Sequence, residues 1–485
     1  MTDYNGRQPR GTPDMALETN LISQFIEIVG QKYALTAEND LTHYTHENRG
    51  LFVGNTPLVL LPGSTDEVSR IMKLASDTKT VVVPQGGHTG HVGGAISDES
   101  GDQIVISLER MNEVRELDLD SNVLVCEAGV VLENIQNLAD ENDRLFPLAL
   151  GSQGSCQIGG NIATNAGGTG VLAYGNTRQL VMGLEVVLAN GEIWNGLRRL
   201  KKDNTGYDLK DLFIGSEGTL GIITAAVLKL FPKPRGKAVA FCGLETPEQA
   251  LELFKTASSH AGHSLTAFEL MAAVPISFTF KHMDRVRNPL EKIYPWQVLV
   301  EVSSNRSEED ASGVLEVILE EAFNNGILMD GSLAASGAQV DDFWRIRELM
   351  PIAQTHEGGS MKHDVSVSIH LVPEFLKKAE AIMQGEMPQA RLCTFGHMGD
   401  GNMHYNISQP EGADREAFMA MQPHINNLIH DLVVSMGGSV AAEHGVGRLK
   451  RDLLARTKDP VELSMMKSVK ATFDPDNLLN PGKVL

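Results

Sequence analysis

Three things are scarce in this chain of 485 residues, and each closes off a set of functions. Cysteine occurs four times, at Cys126, Cys156, Cys242 and Cys393, far apart and without a CxxC pair. That argues against a disulfide framework and a cysteine-rich zinc site, and a reducing cytosol is expected. Long apolar runs are missing: stretches such as Leu58–Leu61 and Val81–Val83 fall far short of the ~20 residues that cross a membrane. The first 20 residues are polar and carry Asp3, Asp14 and Glu18, so neither a signal nor a transit peptide is expected. Positive charge is in deficit, with 41 Lys and Arg against 62 Asp and Glu and a formal net charge of −21. Binding to nucleic acid or to an anionic membrane is not expected. An anionic small molecule would be repelled by the whole and would need a local cluster of Arg, Lys or metal. One opposite charge at ~4 Å is worth about 4 kcal/mol at an effective dielectric of ~20.

What remains is the composition of a soluble globular protein, 42% hydrophobic and 21% charged. The length suits about three lobes or fewer. Residues 1–55 read as an N-terminal arm and helices, 56–235 as one domain, 236–435 as a second, and 436–485 as a terminal segment. In the first domain, strands near Leu58–Leu61, Val81–Val83, Ile104–Leu108, Val123–Val130 and Leu180–Ala189 alternate with glycine-rich loops. Ser64 or Thr65 can cap a helix running to about Ala75. Asn190-Gly191 is a strong two-residue hairpin signal. The strand pattern stops at Phe231-Pro232-Lys233-Pro234. Beyond it, Thr246-Pro247-Glu248-Gln249 reads as a capping box opening a helix to about Ala257. Helices near 309–324, 373–384, 416–435 and 460–473 and strands near 296–303 and 391–396 give an α+β second lobe.

Glycine clusters at 86–94, 151–160, 165–170 and 215–221. Such loops let backbone N–H groups approach a pyrophosphate, and four within one domain point to a nucleotide cofactor. There is no GxxxxGK[ST], and the loops lack the strand–GxGxxG–helix setting of a dinucleotide Rossmann unit. In the second half, His397-Met398-Gly399-Asp400-Gly401-Asn402-Met403-His404-Tyr405-Asn406 holds two histidines seven apart. On one continuous strand they would face opposite sides. A helix would align them, but Gly396, Gly399 and Gly401 disfavour it. A tight turn at Gly399–Gly401 would instead fold both onto one site, with Asn406 pointing the same way as His404. Ala442-Glu443-His444-Gly445-Val446-Gly447 follows, and two His with one Glu suit zinc or another divalent metal with positions left open.

Four segments carry a resemblance: Pro84-Gln85-Gly86-Gly87-His88-Thr89-Gly90; Gly154 through Gly168; Asp203-Asn204-Thr205-Gly206-Tyr207-Asp208; and Ile214 through Thr224. Together they resemble the FAD domain of vanillyl-alcohol-oxidase-type flavoproteins, and within them the D-2-hydroxyglutarate and D-lactate dehydrogenases. The likeness runs from about residue 50 to the C-terminus. It implies an α+β fold: a two-subdomain FAD-binding domain, an α+β substrate (cap) domain, and a C-terminal segment returning to the FAD domain.

By that resemblance FAD is held by Pro84, Gln85, Gly86, Gly87, His88, Thr89 and Gly90, by Gly151, Ser152, Gly154, Ser155, Gly159, Gly160, Asn161, Thr164, Asn165, Gly167 and Gly168, by Gly218, Gly221, Ile222 and Ile223, and by Asn480. At His88, where related chains carry Asn, a covalent flavin link and a packing or hydrogen-bonding role are both open, the second being the expectation. His397, His404 and Glu443 match metal ligands, zinc first, and His444 the catalytic histidine. Arg347, Lys362 and Asn406 match substrate contacts, His444 among them; Pro351 stands where relatives carry a threonine hydroxyl.

The implied activity is oxidation of a D-2-hydroxy acid, D-2-hydroxyglutarate first, then D-malate. Electrons would leave to an electron-transfer flavoprotein or a quinone, and a homodimer is expected. A D-lactate or glycolate dehydrogenase, a non-redox flavoenzyme like alkyl-glycerone-phosphate synthase, and a flavin-free zinc hydrolase are the rivals.

Overall fold

The computed structural model describes residues 17–47 and 49–485. Two sheets build the first unit. Val59–Leu60, Gln103–Ser107 and Val81–Gln85 pair in parallel, and Ala34–Leu35 adds to their edge antiparallel. The helix Thr65–Thr78 runs beside them, and Ser64 is its cap, accepting from the Glu67 N–H at 3.2 Å. The second sheet is five antiparallel strands, with Ile222–Lys229 at its centre between Val123–Glu127 and Val181–Val187. Asn190-Gly191 turns the chain from Val181–Val187 into Ile193–Gly196. One core joins both sheets, and Phe25 of the helix Thr19–Val29 belongs to it. The sequence break at 55/56 therefore separates no units: Ala34–Leu35 and Phe25 belong to the same body as the glycine loops.

From Gly236 the chain forms an eight-stranded sheet whose paired strands all run antiparallel. Its strands are apolar on both sides: Ala238, Ala240 and Cys242 pack into one core, Val239 and Phe241 into another. Helices Pro247–Ala261, Glu308–Asn324, Val372–Glu386 and Gln422–Ser435 cover the first face. Helices Ala273–His282, Gly337–Glu348 and Met350–Thr355 cover part of the second. The capping box at Thr246 and Gln249 is formed. The single helix read over 416–435 is two, Arg415–Ala420 and Gln422–Ser435. Pro423 lacks an N–H and fits only a first helical turn, so a new helix starts there.

The chain end returns to the first unit. Asn480 donates its N–H to the Val82 carbonyl at 2.8 Å, and Val82 donates to Leu478. Fully buried Asp474 ties this return together: it accepts from the Leu478 and Leu479 N–H groups at 2.9 and 2.8 Å and pairs with Lys470. Lys470 also donates to the Thr219 carbonyl at 2.8 Å, joining the last helix to the 215–221 loop. Removing one partner of a buried pair costs on the order of 3–5 kcal/mol. Asp474→Ala is expected to strip hydrogen-exchange protection from the Leu478 and Leu479 amides and to lower the thermal midpoint, with Asp474→Asn milder.

Candidate active site

The two histidines reach one site through hairpin register. Strands Arg391–His397 and Asn402–Ser408 pair with His397 opposite Asn402, Phe395 opposite His404 and Cys393 opposite Asn406. The short turn Met398–Asp400 closes on Gly401, whose φ of +82° is left-handed. His397, His404 and Asn406 thereby share one face. Neighbouring strands place Glu269 opposite His397 and Asp364 opposite His404, on that same face.

Each histidine has a defined environment. Glu269, fully buried, accepts from His397 Nδ1 at 2.7 Å and from Arg347 Nε at 2.8 Å. His397 Nε2 then faces Glu443 Oε1 at 3.8 Å, and His404 Nε2 faces Glu443 Oε2 at 3.8 Å. These gaps are too wide for hydrogen bonds and near the ~3.4 Å that separates two ligands of one tetrahedral zinc. The three ligand atoms all lie within 4.8 Å of one another. Two imidazoles and a carboxylate, one imidazole oriented by a buried carboxylate, form a donor set that fits a divalent metal. Burial works against charge on His397, but Glu269 and Glu443 outweigh it and raise its pKa to about 9. Metal uptake must therefore displace a proton.

His444 stands on a loop held from two sides. Asp364 Oδ2 accepts from the Glu443 and His444 N–H groups at 3.0 and 2.9 Å, and His444 Nδ1 is 3.4 Å from the same oxygen. Glu217, from the first unit, accepts from the Val446 and Gly447 N–H groups at 2.7 and 2.8 Å. Burial raises the Asp364 pKa, but His444, Lys450, His404 and the backbone donors outweigh it, so Asp364 stays ionised. The His404 and His444 rings are near parallel, 6.2 Å apart.

A cleft runs from this loop into the first unit. Pro84 through Gly90, Gly159, Gly160, Asn161, Thr164, Gly218, Gly221, Ile222 and Ile223 line it, and His444 closes one end. Two observations show that it suits a large polar cofactor. Gln157 Oε1 and Asn161 Oδ1 line it and are buried without a hydrogen-bond partner. A Cβ built on Gly90 or Gly160 would meet nothing within 4 Å, so backbone is left open to the cleft there. His88 Nε2 lies 2.7 Å from the neighbouring His46 carbonyl.

Other expected cofactor residues lie elsewhere. Gly151, Gly154 and Ser155 are exposed on a turn in which the Ser152 carbonyl accepts two N–H groups. Asn165 caps the Arg178 N–H at 3.0 Å. Asn480 donates to the Gly94 and Glu217 carbonyls, bracing the cleft wall from behind. Gly167 and Gly168 lie against Glu443: Gly168 N–H donates to Glu443 Oε1 at 2.6 Å, and a Cβ on Gly167 would come within 2.7 Å of that oxygen.

Arg347 is buried against Glu269, its guanidinium 4.8 Å from the Phe395 ring centroid. Lys362 donates to Gln354 Oε1, which Asn406 Nδ2 also reaches at 3.2 Å. Burial, aided by the charge of Arg49, pushes the Lys362 ammonium down to about 8. Pro351 is exposed on the helix beyond Arg347. Sequence reasoning missed Glu269, Asp364, Glu217 and Gln354. Only Glu269 left a local trace, as a carboxylate inside the otherwise apolar strand Leu265–Ala272.

Known proteins with this architecture divide into folds and families. Residues 56–196 match the FAD binding domain profile, and 233–484 match that of FAD linked oxidases, C-terminal domain. The D-2-hydroxyglutarate–pyruvate transhydrogenase of Saccharomyces cerevisiae is 36% identical over 97% of this chain and 95% of its own. The mitochondrial D-2-hydroxyglutarate dehydrogenase of Rattus norvegicus is 39% identical over 89% of this chain and 78% of its own. Among solved structures, p-cresol methylhydroxylase with substrate bound superposes with a TM-score of 0.76 over 96% of both chains at 16% identity, a likeness of fold.

If Glu269 orients His397, Glu269→Gln should weaken zinc binding by about 10- to 100-fold, a typical cost of losing such a partner. Calorimetric titration of zinc into metal-free protein measures this, with unchanged affinity as the contrary result.

Proposed function

The chain belongs to the FAD-linked oxidase family, and from that footing we propose that it is an FAD- and metal-dependent dehydrogenase converting D-2-hydroxyglutarate to 2-oxoglutarate. The observation that carries the reading is the place of His444: it closes the cofactor cleft and lies beside the His397–His404–Glu443 cluster. Base and Lewis acid would meet at the 2-hydroxyl, and the oxidant at the carbon that bears it.

Bound FAD supplies the two-electron acceptor for the Cα hydride. A divalent metal, zinc first, held by His397, His404 and Glu443, supplies Lewis acidity to the 2-hydroxyl. His444 takes the hydroxyl proton, with Asp364 Oδ2 3.4 Å from its Nδ1 to balance the charge it gains. Asn406 is fixed by Gln354 and by the His363 N–H, which donates to its Oδ1 at 3.4 Å. Arg347 and Lys362 present cations to the substrate's carboxylates. A dicarboxylate uses both; D-malate is the next candidate, and D-lactate or glycolate would leave one unused.

The electron acceptor on this reading is an electron-transfer flavoprotein or a quinone. A 2-oxo acid returning to the same site is a second reading, favoured because the yeast transhydrogenase matches nearly end to end. A cytosolic location rests on the four unpaired, buried cysteines.

The test is the visible spectrum under anaerobic conditions. D-2-hydroxyglutarate should bleach the flavin, and the L-acid, or the D-acid after chelation, should not; bleaching by no D-2-hydroxy acid would sink the proposal. Pyruvate added to the bleached protein restores the yellow colour only on the transhydrogenase reading. His444→Ala should slow flavin reduction at least ~100-fold with flavin content unchanged. Lys362 loses its charge as pH rises through about 8, so KM for the dicarboxylate should climb towards tenfold per pH unit above that value. Lys362→Arg should flatten the profile.

A further inference from the structure

Arginine 49 lies outside everything assigned so far. It stands at the tip of a short hairpin closed by the His46–Val53 bridge, with the Glu47 N–H donating to Phe52 O at 3.1 Å and the Gly50 N–H to Glu47 O at 2.8 Å. The Glu47 carboxylate accepts the Leu51 N–H at 3.0 Å, fixing the tip from inside. The hairpin is pinned along the loop that borders the cofactor cleft. His46 O meets His88 Nε2 at 2.7 Å, and the Asn55 N–H donates to Asp98 O at 2.7 Å. Between these anchors the Phe52 ring packs under Gly93, with the Arg448 guanidinium 5.0 Å from its centroid. A strap tied at so many points holds its tip in one place.

That place is the mouth of the active site. Arg49 Nη1 donates to the His91 carbonyl at 3.2 Å, and the His91 ring meets the His444 ring edge-on with centroids 5.0 Å apart. Arg49 approaches from the first unit, whereas Arg347 and Lys362 come from the second.

The charge accounting leaves Arg49 without a carboxylate partner. Arg347 is already matched by Glu269. Among the described residues, neither Arg49 nor Lys362 makes an ion pair with a carboxylate; both donate to neutral oxygens. In a chain of net charge −21, Arg49 and Lys362 are thus cations left available to an anion, as is Lys450, which donates to the Val440 carbonyl. The Arg49 charge is felt at Lys362 and at Lys450, so the two flanks share one electrostatic space.

We propose that Arg49 is a specificity-determining residue, receiving together with Lys362 the carboxylate remote from the reacting carbon and so selecting dicarboxylic over monocarboxylic 2-hydroxy acids. This inference rests on the functional reading above. The strap would act as the fixed jaw of a clamp whose other jaw belongs to the second unit. A guanidinium suits the task because it can hold the His91 carbonyl through one nitrogen and a carboxylate through others.

The test uses the full-length flavin-loaded enzyme, with D-2-hydroxyglutarate, D-malate and D-lactate as substrates, in wild type, Arg49→Gln and Arg49→Lys. Arg49→Gln should raise KM for D-2-hydroxyglutarate by about 10- to 100-fold, the scale of a hydrogen bond to a charged group. It should leave kcat within about twofold, leave kcat/KM for D-lactate unchanged, and keep flavin content and spectrum as in wild type. Arg49→Lys should recover most of the loss. Equal effects on D-lactate and D-2-hydroxyglutarate, no effect on either, or loss of flavin from Arg49→Gln would each overturn the role, the last by placing Arg49 on the cofactor. A wild type inert to all three acids would overturn the functional reading and this inference with it.

Discussion

The site depends on how one loop without regular structure is held. Residues 443–447 are half-buried or buried between two domains, and their N–H groups have no helix or strand to satisfy them. Two carboxylates do so: Asp364 from the eight-stranded sheet takes the N–H groups of Glu443 and His444, and Glu217 from the glycine-rich unit takes those of Val446 and Gly447. Hydrogen bonds to charged groups contribute about 1.5–3 kcal/mol each, and four of them hold this loop in place. The local sequence is cut to fit. Gly445 and Gly447 have φ of +78° and +50°, and a Cβ would meet Glu217 Oε1 at 2.8 Å in the first case and the Val92 carbonyl at 2.3 Å in the second. The side chain of Glu443 then crosses back to the Gly168 N–H. The cleft lining, the His397–His404–Glu443 cluster and His444 are thus one assembly, and neither domain forms it alone.

The same clamp sets the electrostatics. Glu269, Asp364 and Glu443 gather on one face of the sheet beneath an anionic substrate, which is tolerable only if each has a cationic or donor partner. Glu269 has Arg347 and His397, and Asp364 has two N–H groups and His444. Glu443 has one N–H and two imidazoles too far for hydrogen bonds, which is the arrangement expected of a ligand whose missing partner is a metal ion. Lys362, largely buried, and Arg49, exposed, make no ion pair with these carboxylates and donate to neutral oxygens instead.

Much of this was legible in the residues. The hairpin parity argument needed only Gly399 and Gly401 between His397 and His404, because strand alternation and a tight turn are local rules. Asn190-Gly191, Ser64 and the Thr246 capping box were read for the same reason. The glycine loops pointed to a cofactor, yet Gly167 and Gly168 turned out to make room for Glu443, a residue 275 positions away. Glycine records that something comes close without recording what. Asp364 and Glu217 were invisible because their partners are backbone amides of a distant loop, and no side-chain pattern marks an amide. The split of the 416–435 segment into two helices has a local mark in Pro423, in the first turn of the second.

The division of labour between local and distant signals also says where this scaffold can vary. Ligands and base are bound by parity, register and two buried carboxylates, so a change in any one displaces the rest. Two of the cations are not so bound. Arg347 is tied to the assembly through its buried pair with Glu269, whereas Lys362 and Arg49 donate only to neutral oxygens, of Gln354 and of the His91 carbonyl. A substrate differing in length or in carboxylate number can be met by changing either of these two without moving His397, His404, Glu443 or His444. Chemistry is therefore fixed at the domain junction, while recognition is set at its rim.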